Sequence, residues 1–120
     1  MARFLIHIHS GPEAANKATL GLLIAVEAAR AGHAVTVFLA GDGVALLPPA
    51  VRARTEGLGT GSAAEHLQAL EALGARLVVS QRSTAARGLG PEALEGLTAE
   101  PGTPALLVAL AAEAETVLCY

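Results

Sequence analysis

Apolar positions along the chain fall into two alternating rhythms. Arg3 to His9 alternates in part and then runs apolar, which predicts a strand ending at Ser10-Gly11-Pro12-Glu13. Ser10 followed three residues later by Glu13, with Pro12 in the first turn, is a helix-start signal, so Ser10 is expected to cap the first helix. Between Asn16 and Ala31, Leu20, Leu23, Ile24 and Ala28 recur at helical spacing among Lys17, Glu27 and Arg30, and Gly32 stops the run. Ala34 to Ala40 is short, rich in β-branched residues and nearly all apolar, like a strand covered on both faces. Together these predict a β-α-β unit with parallel strands.

Gly41-Asp42-Gly43 closes the second strand, and a short apolar turn, Val44 to Leu47, runs into Pro48-Pro49. The stretch from Pro48 to Gly61, with its glycines, paired prolines, Arg52 and Arg54, predicts a mobile loop. Ser62 to Leu73 is a helix by pattern: Leu67, Leu70 and Leu73 face inward, Glu65, Gln68 and Glu71 outward, and Gly74 ends it. A strand over Arg76 to Val79 completes a second β-α-β unit. Pro91 to Leu97 predicts a short helix, Pro101-Gly102-Thr103-Pro104 opens a last helix through Ala114, and Thr116 to Cys119 forms the closing strand. Strands alternating with helices to the end are the signature of a doubly wound α/β sheet.

Composition narrows this picture. The 120 residues suit one domain over 1–120, and a chain 52% apolar but 2% aromatic needs an aliphatic core. Few aromatic rings and a net charge of -3 argue against nucleic acid as a partner. Glu27 and Arg30 break the longest apolar stretch, so no membrane span is expected, and Phe4 to Ile8 is too short for a signal peptide's apolar core. A soluble cytoplasmic protein is the expectation. Cys119, the single cysteine, allows no internal disulfide and no cysteine-based zinc site. The apolar content is high for so small a monomer, which predicts self-association.

In open α/β sheets, ligands bind beyond the carboxyl ends of the strands. That rule selects Ser10 to Pro12 with Asn16 behind them, Gly41-Asp42-Gly43, and Ser80 through Gly88 with Ser83 and Arg87. Asp42, the only aspartate, either caps the turn that follows or faces a ligand. Ser10 competes between capping and anion binding, and without a glycine-rich phosphate fingerprint no nucleotide or other cofactor is expected. His7 and His9 share a face of the first strand; with no third ligand close in sequence they read as hydrogen-bonded structure rather than metal ligands. His33, in a turn, and His66, on a solvated helix, group with nothing. A triad of Ser80 or Ser83, His9 and Asp42 lacks any nucleophile elbow. Arg87 either binds a small anion or pairs with a glutamate across a subunit boundary.

The run Asn16 to Leu47, above all Phe38-Leu39-Ala40-Gly41-Asp42-Gly43-Val44, together with Ala85-Ala86-Arg87-Gly88 and the tail Glu115 to Tyr120, resembles the DsrE/DsrF-like family. The resemblance implies a three-layer α/β/α domain with a mainly parallel, five-stranded, flavodoxin-like sheet. It also implies a homotrimer or homohexamer and, in sulfur-handling members, a cysteine persulfide passed to a sulfur-relay partner protein. Those members carry one or two cysteines ahead of Ala-Arg-Gly; the matching positions here include Ser80 and Ser83. A serine hydroxyl ionises too weakly for that role and forms no S–S bond. Cys119 is expected as a small buried residue away from the cleft. The resulting expectation is a ligand- or partner-binding domain without sulfur transfer, lined by Ser10, Asn16, Gly41, Asp42, Ser80, Ser83 and Arg87; the alternative is a sulfur carrier using Cys119 or a partner's cysteine.

Overall fold

A computed structural model describes residues 1–120. Five parallel strands form one sheet: β1 (Arg3–Ile8), β2 (Ala34–Leu39), β5 (Arg76–Ser80), β6 (Glu100–Gly102) and β7 (Thr116–Cys119). Their spatial order is β6-β5-β2-β1-β7, so the chain winds outward from β1 to β6 and then returns across the sheet to pair β7 with β1. The helices are α1 (Ala15–Arg30), α2 (Pro49–Arg54), α3 (Ala63–Ala72), α4 (Gln81–Ala86) and α5 (Pro104–Glu113). Strands β3 (Glu56–Gly57) and β4 (Gly61–Ser62) form a separate antiparallel hairpin. This is the expected α/β/α architecture.

The two faces of the sheet are covered unequally. On one, Ile6, Ile8, Val37, Leu39 and Val79 meet Leu22 and Val26 of α1 and Leu67 and Leu70 of α3 in a core of 19 buried residues. On the other, Leu5, Phe38 and Val78 form a core of three, covered by Leu106, Leu107 and Leu110 of α5. The return crossover supplies that single ten-residue helix, and none of its residues is buried. Ala105, Val108, Ala109 and Ala112 stand exposed along its outer side, Val108 at 69%.

Several expectations need correction. Ser10 does not cap: the residue before the opening helical turn (Pro12–Ala14) is Gly11, whose amide donates to Glu13 Oε1 at 2.9 Å. The glutamate reaching back replaces the serine reaching forward. Pro48 to Gly61 is not a mobile loop but α2 and the β3–β4 hairpin, tied down by polar side chains instead of an apolar stripe. Asn16 Oδ1 accepts from the Leu58 amide at 2.7 Å, and the Thr19 and Thr60 hydroxyls meet at 2.7 Å. Arg52, 9% exposed, reaches from α2 to donate to the carbonyls of Ala93 and Glu95. The predicted helix Pro91 to Leu97 is a shorter 3-10 turn, Pro91–Leu94, and the last helix starts at Pro104 because Glu100–Gly102 pairs with β5. His33 and His66 are also engaged. His33 Nδ1 accepts from the Ala2 amide with its ring against Phe4, and His66 Nε2 bonds the Thr60 carbonyl at 2.7 Å.

Candidate functional site

Parallel pairing brings the carboxyl ends of β1, β2 and β5 to one edge, with Ser10, Gly41-Asp42 and Ser80 following them. Two glycines shape the middle of this edge. Gly41 takes φ +54, a left-handed conformation that favours glycine, and a side chain on Gly43 would overlap the Ile8 carbonyl oxygen. The Gly-Asp-Gly turn is thereby pressed against the end of β1.

From β5 the chain enters α4, whose first turn Ser80 caps by accepting from the Ser83 amide at 3.1 Å. Ser83 Oγ accepts from the Gly41 amide at 2.8 Å, binding α4 to the turn after β2. One turn further, Arg87 donates to the Ser83 carbonyl at 3.1 Å and to Asp42 Oδ1 at 2.8 Å. Asp42 makes no cap on its own turn, and Arg87 pairs with Asp42 of the same chain. Gly41, Asp42, Ser80, Ser83 and Arg87 thus form one closed network. Ser10 borders it, 9% exposed, through Gly11, which lies against the Asp42 carbonyl. Asn16 belongs to the hairpin anchor instead. The Asp42 side chain is 59% exposed, so the ion pair is worth at most about 1 kcal/mol and an incoming anion can displace the carboxylate.

Residues 2–120 match the DsrE/DsrF-like family. The chain belongs to that family. Among solved structures, it is similar to the YchN protein from E. coli, at 21% identity and a TM-score of 0.77 with all of both chains covered. It is also similar to MTH1491, a protein of unknown function from Methanobacterium thermoautotrophicum, at 19% identity and a TM-score of 0.71 over both whole chains. At these identities the two likenesses speak for the fold. No curated protein matches the chain.

In this DsrE/DsrF-like chain, one thiol and two imidazoles gather at the same edge, on the face that α5 covers. Cys119 pairs in register with His7. The expectation that Cys119 is buried fails: it is exposed, at the carboxyl end of β7, the edge strand two places from β2 and three from β5. The physical reason is that α5 packs on Leu5, Phe38 and Val78 of β1, β2 and β5 and leaves edge strand β7 bare. Sequence spacing puts His7 and His9 on one face; only the pairing of β7 with β1 adds Cys119 to them.

The His7 ring meets His9 at 5.5 Å and Phe38 edge-on at 5.9 Å, and its Nε2 is buried without a hydrogen-bond partner. The hydrogen-bonded role expected of it is therefore not realised. Burial, and secondarily the neighbouring His9, lower the His7 pKa below the ordinary value of 6.5. The unfolded chain binds this proton more tightly than the folded one. Stability is therefore retained above pH 6.5 and lost as the pH falls from there through the folded-state value. Melting curves should show a lower midpoint at about pH 5 than at about pH 7.5, with a smaller difference in His7→Phe. Equal differences in the two proteins would remove His7 as the cause.

Proposed function

We propose that this DsrE/DsrF-like chain is a self-associating cytoplasmic binding domain that takes a small ligand or a protein partner at the carboxyl edge of its sheet and transfers no sulfur. The observation that carries this reading is the chemistry at the end of β5. Hydroxyls stand at Ser80 and Ser83, and both are committed to the fold, as a helix cap and as the acceptor for the Gly41 amide. Neither supplies a nucleophilic sulfur. Beside them, Arg87 and Asp42 hold each other by a weak, exposed pair that a small anionic ligand would compete for. Self-association, as a trimer or hexamer, is supported by the uncovered outer side of α5 and by Val117, 43% exposed on β7.

The exposure of Cys119 favours a second reading as a sulfur carrier. In that chemistry the Cys119 thiolate attacks the sulfane sulfur of a donor persulfide, forming a Cys119 persulfide and releasing the donor's thiolate. Whole-protein mass measurement after incubation with a small-molecule persulfide decides between the two. The binding-domain reading expects an unchanged mass and saturable chemical-shift changes at Asp42, Ser83 and Arg87 on titration with a small carboxylate. A stable gain of sulfur, absent from Cys119→Ser, would put the carrier first.

A further inference from the structure

On the far side of α4 from the Asp42–Arg87 pair lies a cavity of about 280 Å³, partly open to solvent. Its apolar floor and walls include Leu47, Val79, Leu89 and Ala99, while Gln81 and Thr84 of α4 supply polar atoms at one end. A closed apolar cavity of about 150 Å³ is enough for benzene, so this larger, partly open one has room for a single ring.

The wall opposite α4 is held in place at some energetic cost. Arg52, nearly inaccessible, donates to the carbonyls of Ala93 and Glu95, and its Nε is buried without a partner. A guanidinium immobilised in this way fixes the turn that bounds the cavity, since it cannot move without losing the two acceptors. The space is therefore pre-formed, the usual condition of a small-molecule site.

The lining decides the ligand's chemistry. Its one ionised side chain, Glu100, is doubly bonded to Arg76 at 2.6 and 2.7 Å and offers no free charge. With no cation in the lining, an anion has no partner there. The Gln81 amide, exposed at the mouth, presents a donor and an acceptor together. We propose that this cavity binds a small, neutral, mainly apolar ring molecule carrying a carboxamide-like group that pairs with Gln81. The proposal rests on the carboxyl-edge reading above for its location and goes further in naming the ligand class.

Titration of isotopically labelled protein with benzamide tests it by NMR. Saturable shifts are expected at Gln81, Thr84, Leu89, Leu94 and Ala99. Gln81→Ala should weaken benzamide by roughly tenfold or more, the worth of the paired donor and acceptor, and leave toluene unaffected. Ala99→Phe, which fills the space, should abolish both; should that variant fail to fold, the exposed Gln81→Ala still decides. Absent or non-saturating shifts, or equal losses for both probes in Gln81→Ala, would overturn the proposal. Shifts at Asp42 and Arg87 alone would overturn it too, while leaving the carboxyl-edge reading intact. Sulfur uptake at Cys119 would sink only the absence of sulfur transfer proposed above and leave the carboxyl-edge location, on which this proposal rests, in place.

Discussion

Replacing Phe38 by alanine is expected to lower the free energy of unfolding by about 3–5 kcal/mol. Phe38 is 2% exposed and is the largest side chain of the small core beneath α5. Leu5 and Val78 are its only fully buried companions there, so few side chains are available to collapse into the void. Gly102 shows how closely the ring is fitted: a side chain on it would come within 2.7 Å of the Phe38 ring tip. The loss should also be local. Since Leu106, Leu107 and Leu110 rest on this cluster, α5 amides should lose exchange protection before those of α1 and α3, which pack on the 19-residue core. Denaturant titration measures the first effect and hydrogen exchange the second. A loss below about 1 kcal/mol would mean that α5 is held by something other than the Phe38 cluster.

Sedimentation should find the protein as a multiple of its single-chain mass at micromolar concentration, and Val108→Glu should reduce it to one chain. Val108 is 69% exposed at the centre of an outer stripe formed with Ala105, Ala109 and Ala112, and Val117, on β7, is 43% exposed. An exposed apolar stripe along a helix favours association, because covering it removes apolar area from water. A glutamate placed there must be desolvated in any interface and has no cation beside it on the stripe. Far-UV circular dichroism should be unchanged, because the substituted side chain faces away from the sheet. A wild-type monomer, or a Val108→Glu protein of unaltered mass, would remove α5 as the contact surface.

Elements with a strong period were legible in advance. β1, α1, β2, α3 and β7 have the expected bounds to within a residue or two, but the buried faces differ in part: Leu73, expected inward, is 43% exposed, and α1 buries Leu22 and Val26 while Leu20 is 38% exposed. Elements held by polar side chains were not. α2 and the β3–β4 hairpin depend on Asn16, Thr19 and Arg52, whose bonds join residues some forty positions apart. β6 spans three residues including a proline, too short to show alternation, and α4 has a polar composition and is defined mainly by its Ser80 cap.

The candidate site divides in the same way. The carboxyl-edge rule located Gly41, Asp42, Ser80, Ser83 and Arg87 together, since a parallel sheet sends all its strand ends to one side. Which atom bonds which was not available from spacing: Arg87 meets Asp42 across 45 positions, Asn16 turns to the hairpin, and Cys119 stands exposed beside His7.

The sequence by itself determined the α/β class and the family. Those features reside in side-chain identity and short-range period, which every chain displays in its linear order. Tertiary structure alone decided that one face of the sheet is thinly covered, that the only thiol stands exposed in register with His7, and that a cavity lies beside α4. These depend on the order of the strands and on the path of a single crossover, both set by contacts between residues far apart in the chain.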